Sequence, residues 1–382
     1  MMVPGAMDFA WSDQQIHLFD AALTFAASLP STISNSEEFR AGFGELGEFG
    51  ALGLCVDERF GGMGLDSLTT ARTVEALGQG CPELGLLFSA AAHLFACVVP
   101  IVEHGSEALA ARVAPRLCSG EWIGANAITE AEAGSDIGRL RTRATRDGDA
   151  YVLDGVKSYV TNGPAADLFM VYATVNPEHG FMGVTGFVVE RDRPGLRVGE
   201  PFETMGLEAS PISSLYLDGC RIPVANRVGD EGSGSTIFSE SMHYERSCLL
   251  AAWLGSMERT LARAIEHARE RKQFRRPIGK FQAISHKIVD MKLRLEAARM
   301  LLYKACWARD RGDKATIDVA LAKLAISEAA IASAVDAIQI FGGAGYIKEL
   351  GIERVLRDSI PTTIFSGTSE VQRDLVAKNL GL

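Results

Sequence analysis

The sequence predicts an α+β multidomain protein, with a helical region at each end of the chain and an antiparallel β region between them. Three stretches of different texture carry this prediction. From about residue 8 to 120, Ala- and Leu-rich segments are broken at Gly-rich points such as Phe60-Gly61-Gly62-Met63-Gly64. From about 122 to 228 the apolar period shifts towards two, the repeat of a half-buried strand. From about 232 onward the helical period returns in longer runs. The boundaries fall at 1–121, 122–230 and 231–382.

In the first region, Leu84 to Val102 is almost wholly apolar and approaches membrane-spanning length. It carries Ser89, His93 and Pro100 and lies between Glu83 and Glu103, so it is expected to be a buried core helix with His93 as a satisfied core histidine. In the middle region, Tyr151-Val152-Leu153 and Val156 to Val160 flank Asp154-Gly155, a two-residue hairpin signal. Asp167 to Ala173 and Gly186 to Glu190 read as further strands, with Pro194-Gly195 and Asp218-Gly219 as turns between strands. No helix-length pattern interrupts them, which favours an antiparallel over a doubly wound sheet. In the last region, Ile284, Ile288, Met291, Leu295, Ala298 and Leu302 recur at three- and four-residue steps and define one helix face. Gly312 stops that helix, and another runs from about Ile317 to Ile340 until Gly342-Gly343. Helices at about 235–271 and 370–380 complete a bundle.

Composition narrows the function. With 382 residues, 47% hydrophobic and 23% charged, the chain is an ordinary soluble globular protein long enough for two or three cores. Its net charge of -10 argues against nucleic acid, which needs a basic field. The seven cysteines are scattered and never form Cys-x-x-Cys, as expected of reduced thiols in a cytoplasmic protein without a structural metal site. Met1-Met2-Val3-Pro4-Gly5 lacks a basic segment followed by an apolar one, so no signal peptide is read there, and no membrane role is expected.

Several segments are candidates to carry chemistry, and most have a plainer reading. Ile128-Thr129-Glu130-Ala131-Glu132-Ala133-Gly134-Ser135-Asp136 is a polar loop that can approach a planar ligand, or an ordinary turn between regions. Tyr159-Val160-Thr161-Asn162 can place an aromatic and a hydroxyl over one ligand face. Arg271 to Pro277 clusters cations beside Phe274, suited to phosphate or to capping a helix end. Gly229 to Gly234 lacks the Lys-Ser/Thr of a phosphate loop, and there is no Gly-x-Gly-x-x-Gly after a strand. The acid that matters is Glu245. On a helix its face-mates are Phe238, Met242, Leu249 and Ala252, an apolar stripe that strips its hydration and suits it to accept a proton. A buried ion pair with an arginine is the alternative.

Taken together these segments resemble the acyl-CoA dehydrogenase family. The resemblance runs through Thr129-Glu130 with Gly134-Ser135-Asp136, Tyr159 to Asn162, and Arg271-Lys272-Gln273-Phe274 with Phe281-Gln282. It continues through Gln339 to Tyr346, Glu353-Arg354 with Arg357-Asp358, and Gly367-Thr368-Ser369-Glu370. It implies an N-terminal helical domain, a central antiparallel β-barrel-like domain and a C-terminal four-helix bundle, with FAD held between the last two and partly across a subunit interface. By position, Ile128, Thr129 and Ser135 are expected to meet the flavin and its ribityl-phosphate, Tyr159 to cover the isoalloxazine, and Thr161 to donate near N5. Members usually carry Trp where Tyr159 stands. Arg271, Gln273, Phe274, Gln282, Gln339, Gly342 and Gly343 are expected to hold the pyrophosphate and adenosine end of a neighbour's cofactor, with Thr368 and Glu370 adding contacts of that kind. A homo-oligomer, dimer or tetramer, follows.

The departure is Ser366, which stands where most members carry the Glu that removes the substrate's α-proton. A serine with no nearby His cannot be that base. The isovaleryl- and long-chain members also lack this acid and carry it on the first helix of the bundle, directly before an Arg; Glu245-Arg246 matches that pair. Glu245 is therefore expected to be the base, Arg246 to orient it or the substrate's pantetheine arm, and the Ser366 backbone N–H to remain an oxyanion donor. Met291 to Glu296, Tyr303 to Trp307 and Ile364 to Thr368 resemble the branch that oxidises a prolyl thioester on a peptidyl carrier protein. A small-acyl CoA thioester dehydrogenase of isovaleryl type is the alternative, followed by a flavin monooxygenase or a non-catalytic scaffold. An electron-transfer flavoprotein or O2 would take the electrons.

Overall fold

The computed structural model describes residues 10–382. It opens with helices α1 (Asp13–Ala26), α2 (Ser36–Phe49), α3 (Ser67–Gly80), α4 (Leu84–His93), α5 (Val99–His104) and α6 (Glu107–Cys118). Side chains satisfy the free N–H groups where several of these begin: Ser12 and Gln15 bond reciprocally at α1, and Asn35, Asp66 and Ser106 cap α2, α3 and α6. A wide turn at Leu94–Val98 joins α4 to α5 without a break. The resulting apolar rod is long enough to cross a bilayer, but 89% of its most apolar stretch is buried within the protein, as expected of a core helix.

His93 shows why this rod tolerates polar groups. Its Nδ1 accepts from the Gly124 N–H at 2.7 Å, so its Nε2 carries the proton and donates to the Leu117 carbonyl at 3.1 Å. The ring thereby ties α4 to α6 and to the first strand.

The strands are β1 (Gly124–Ala127), β2 (Arg143–Asp147), β3 (Ala150–Thr161), β4 (Leu168–Thr174), β5 (Val184–Glu190), β6 (Leu196–Val198), β7 (Ile212–Pro223) and β8 (Arg227–Val228). They form one sheet in the order β6-β7-β3-β2-β4-β5-β8, with β1 also on β4. Most pairs are antiparallel, but β1 and the start of β2 run parallel to β4, so the sheet is mixed. β1 and the start of β2 pair with successive stretches of β4 and run the same way, joined by a long loop.

Two of the expected turns are not turns. Asp154-Gly155 lies inside the single strand β3, and Asp218-Gly219 inside β7. The two pairs face each other at an irregularity in the β3–β7 ladder, where the Gly219 N–H bonds the Asp154 carboxylate at 2.7 Å. The hairpin into β3 forms instead at Gly148-Asp149, with Gly148 at φ +62°. Pro194-Gly195 does precede β6, with Gly195 at φ +84°.

β4 is buried on both faces. Phe169, Val171 and Ala173 face a core inside the curled sheet, whereas Leu168, Met170 and Tyr172 face the helices.

The remainder is α7 (Gly234–Tyr244), α8 (Ala251–Glu270), a small hairpin of β9 (Lys272–Gln273) and β10 (Arg276–Pro277), α9 (Gln282–Asp310), α10 (Thr316–Phe341), α11 (Gly343–Tyr346), α12 (Ile352–Ser359) and α13 (Ser369–Asn379). The expected single helix over 235–271 is interrupted by a wide turn at Glu245–Leu249. α3 crosses α8 at closest approach through two glycines: a Cβ on Gly78 would lie 2.1 Å from the Ala252 carbonyl oxygen, and one on Gly255 2.1 Å from that of Glu75. Glu75 itself is buried and accepts from Arg299 at 2.7 Å and from the Tyr303 hydroxyl at 2.5 Å, tying α3 to α9. The N-terminal and C-terminal helices therefore share one apolar core, and that core presses on one face of the sheet.

Burial draws the His93 pKa from its ordinary 6.5 down to about 4, against the opposing pull of its two backbone bonds. The folded state binds this proton less well than the unfolded chain. The stability His93 contributes is therefore intact above about pH 6.5 and is lost as pH falls towards 4, by on the order of 3 kcal/mol in full. Urea midpoints at pH 7 and pH 4.5 check this: His93→Gln should start lower than the parent at pH 7 and lose less between the two.

Candidate active site

Glu245 sits where α7 gives way to the wide turn. The cause of that turn is local. The Ser247 hydroxyl takes the His243 carbonyl at 2.5 Å, competing with the backbone for the bond a regular helix would use. An i→i+5 turn then carries the chain to Leu249, and such turns are frequent at functional sites. The extra residue shifts Leu249 and Ala252 off the face expected for them, but Glu245 remains buried, with 8% of its surface exposed.

The segment Ile364 to Gly367 approaches Glu245 from the far end of the chain. The Ser366 hydroxyl donates to Glu245 Oε2 at 2.7 Å, while Oε1 has no partner among the described residues. Arg246 Nε donates to the Ser366 carbonyl at 2.8 Å, and Gln372 Nε2 donates to the Gly367 carbonyl at 3.0 Å. These bonds hold Ser366 at φ +53°, a left-handed conformation that costs a non-glycine residue about 1–2 kcal/mol. Strain kept in place by a second layer of side chains marks a functional loop. Burial pushes the Glu245 carboxyl up to about 7, against the opposing pull of the Ser366 hydroxyl and the Arg246 charge. At neutral pH this acid is close to half-ionised, the condition that suits a general base. Phe365, next to Ser366 in the chain, packs its ring against those of Phe88 and Trp253, with centroids 4.9 Å apart for Phe88–Phe365 and 5.7 Å for Trp253–Phe365.

A second group gathers on the β region. Lys157 and Glu130 form a buried ion pair at 2.7 Å; burial draws the Lys157 ammonium down to about 8, while burial of Glu130 is outweighed by the Lys157 charge together with hydrogen bonds from Lys157, Thr142 and Arg141, which keep that carboxylate below its usual range. Lys157 also bonds the Ile128 carbonyl at 3.0 Å, and the Ser158 N–H bonds that of Thr129 at 2.8 Å. Ile128 and Thr129 are thus fixed beside Tyr159. A bulge between Lys157 and Val160 puts Tyr159 at φ +55° and lifts its ring off the sheet, 68% exposed and backed by Phe202 at 5.8 Å. Thr161 lies two residues on, half-buried, and Ser135 is exposed on the loop that Glu130 anchors. An exposed ring held by a strained backbone beside hydroxyls fits one face of a planar heteroaromatic ring such as a flavin.

The remaining residues form a third group at one end of the bundle. Phe274 and Arg275 take φ +48° and +65° at the tip of the β9–β10 hairpin, leaving Phe274 87% exposed. Arg271, Gln273, Gln282, Gln339, Gly342 and Gly343 are exposed around the same end, where His267 stacks on Phe341 at 4.3 Å. Among the described residues, no hydrogen bond joins this group to Tyr159 or Thr129 in the same chain. Thr368 caps α13 by accepting from the Val371 N–H at 3.3 Å, and Glu370 lies exposed in its first turn, held below the usual carboxylate range by its own backbone N–H and by Thr368.

Family models for the acyl-CoA dehydrogenase N-terminal, middle and C-terminal domains match residues 15–121, 125–220 and 232–381. The chain belongs to the acyl-CoA dehydrogenase family. Among its relatives in that family is an L-prolyl-[peptidyl-carrier protein] dehydrogenase of Pseudomonas fluorescens, 53% identical over 337 residues, covering 88% of this chain and 89% of the relative. Two solved structures share the fold over 98% of this chain and the whole of theirs. One is a prolyl acyl carrier protein oxidase, AnaB, at 44% identity and TM-score 0.94. The other is PigA with FAD and proline, at 42% identity and TM-score 0.95.

Sequence reasoning missed three things here. The Ser366 hydroxyl bonds the base directly, Arg246 is engaged with the Ser366 carbonyl, and Gln372 supports the loop. None lies on a periodic pattern, and only the order of the chain in space brings them together. Ser366→Ala removes a bond that favours the charged form, so the Glu245 pKa should rise above about 7. The acid limb of the pH profile for flavin reduction should move to higher pH by roughly one unit. An unchanged profile would mean the hydroxyl does not hold the base.

Proposed function

We propose that this protein is an FAD-dependent dehydrogenase of a thioester, with L-prolyl on a peptidyl carrier protein as its substrate. The observation that carries the reading is the buried Glu245 carboxylate, with one oxygen held by Ser366 and the other without a partner among the described residues. The names of the P. fluorescens relative and of AnaB support the prolyl group and the carrier, and the PigA structure with FAD and proline supports the cofactor and the ring.

Glu245 Oε1 takes the proton from the carbon next to the thioester carbonyl, and the C–H electron pair passes into the thioester, whose oxygen gains charge. The Ser366 backbone N–H is the donor we assign to that oxygen, where a preorganised group is worth far more than in water. Arg246 keeps the Ser366 loop in register and supplies a positive charge beside the base. Ile128, Thr129, Ser135, Tyr159 and Thr161 would hold the flavin. Arg271, Gln273, Phe274, Gln282, Gln339, Gly342 and Gly343 would serve the adenosine end of a second subunit's cofactor, with Thr368 and Glu370 completing it, which makes the active species a homo-oligomer, dimer or tetramer. Bound FAD would supply the acceptor for the two electrons and the hydrogen that leave the neighbouring carbon.

Anaerobic flavin bleaching with prolyl, isovaleryl and butyryl thioesters, each on CoA and on carrier protein, tests this. Bleaching confined to the carrier-bound prolyl thioester is expected. Comparable bleaching by isovaleryl- or butyryl-CoA would overturn the substrate assignment in favour of a short-chain acyl-CoA dehydrogenase.

A further inference from the structure

A thioester carried on a phosphopantetheine arm reaches Glu245 while the far end of the arm stays fixed to a protein, so the face that receives that protein lies one arm's length from the base. From Ile137 to Arg146 the chain holds four arginines and no acid, in a protein of net charge -10. Arg146 pairs with Glu231 at 3.4 Å, but Arg139, Arg141 and Arg143 pair with no carboxylate among the described residues.

Local structure turns these cations outward and holds them still. Leu140, Thr142 and Ala144 are buried while Arg141, Arg143 and Thr145 are exposed, the alternation of a strand with one wet face. The Arg141 and Thr142 N–H groups bond the Glu130 carboxylate at 2.7 and 3.0 Å, and Glu130 is itself held by Lys157. Arg139 ends the turn Ile137–Arg139, which packs on the turn Pro177–Gly183: a Cβ on Gly138 would lie 3.4 Å from the Phe181 nitrogen. That second turn leaves Phe181 44% and Met182 73% exposed. Asp136 and Glu178 stand at the start of the two turns, and neither pairs with an arginine. Aromatic, Met and Arg side chains are the types enriched where proteins dock, and exposed apolar groups beside free cations make such a surface.

The same surface is tied to the helix that carries the base. The Ser235 hydroxyl donates to the Phe181 carbonyl at 2.7 Å. From Ser235 along α7 to Glu245 the helix rises about 15 Å, a distance that an extended phosphopantetheine arm spans.

We propose that Arg139, Arg141 and Arg143, with Phe181 and Met182 beside them, form the docking face for the carrier protein and take an acidic surface of it next to the point where the arm is attached. The proposal rests on the carrier reading above. Charge complementarity selects this partner: the chain as a whole repels an acidic protein, whereas here the partner meets guanidinium groups with no carboxylate of their own. The other basic cluster, Arg271 to Arg276, lies at the end of the bundle and serves the cofactor.

The test compares holoenzyme with the triple variant Arg139→Glu, Arg141→Glu, Arg143→Glu by anaerobic flavin bleaching with two prolyl thioesters, one on the carrier protein and one on free phosphopantetheine. FAD content and melting temperature are measured alongside. The half-saturating concentration of the carrier-bound thioester should rise roughly tenfold or more in the variant at an unchanged limiting rate, while the free thioester keeps its parental value. In the parent, raising salt from roughly 0.01 to 1 M should weaken the carrier-bound thioester far more than the free one. An equal rise on both substrates, or no rise on the carrier-bound one, would overturn the docking face. If the variant loses FAD or stability, the triple Arg→Gln variant and the salt series decide, and a parent whose half-saturation by the carrier ignores salt contradicts the proposal. A parent that bleaches with neither thioester refutes the functional reading itself, whereas a parent that bleaches with both and a variant that matches it refute only the docking face.

Discussion

A carboxylate buried in an apolar helix junction is expensive to keep charged, and the structure is organised around keeping Glu245 there. Among the described residues only one of its oxygens is bonded, by the Ser366 hydroxyl, and the neighbouring Arg246 is turned towards the Ser366 carbonyl. This partial compensation places the group near neutrality instead of in the usual carboxylate range. Full pairing would lower its proton affinity and make it a structural ion pair; no pairing would keep it protonated.

The scaffold serves that balance from three directions. Ser247 opens the helix at Glu245, so the acid does not sit on a regular face. Gln372 and Arg246 fix the strained Ser366 from behind. The close α3–α8 crossing at Gly78 and Gly255 sets the depth at which α8 continues from the wide turn, and the Lys157–Glu130 pair sets the loop that presents Thr129 beside Tyr159.

Much of this was legible in the sequence. An acid in an apolar stripe is a local fact, and the resemblance to a family whose members mostly carry an acid where Ser366 stands pointed to that acid as a base on another helix. The helices from Gln282 to Phe341 were readable because their apolar spacing runs for many turns. Other features depend on partners distant in the chain. Asp154-Gly155 and Asp218-Gly219 each look like a turn, and only their pairing across β3 and β7 makes them an irregularity in a ladder. The wide turn at Glu245 depends on which bond the Ser247 hydroxyl chooses, and periodicity is blind to that choice.

The central claim is that the base has moved from the C-terminal loop to Glu245, and anaerobic flavin reduction by the carrier-bound prolyl thioester tests it in Glu245→Gln and in the double variant that adds Ser366→Glu. Glu245→Gln should retain FAD and a near-parental melting temperature while flavin reduction collapses, and Ser366→Glu in that background should restore part of the rate by returning an acid to the opposite side of the same site. A Glu245→Gln enzyme that reduces its flavin at the parent's rate would contradict the account.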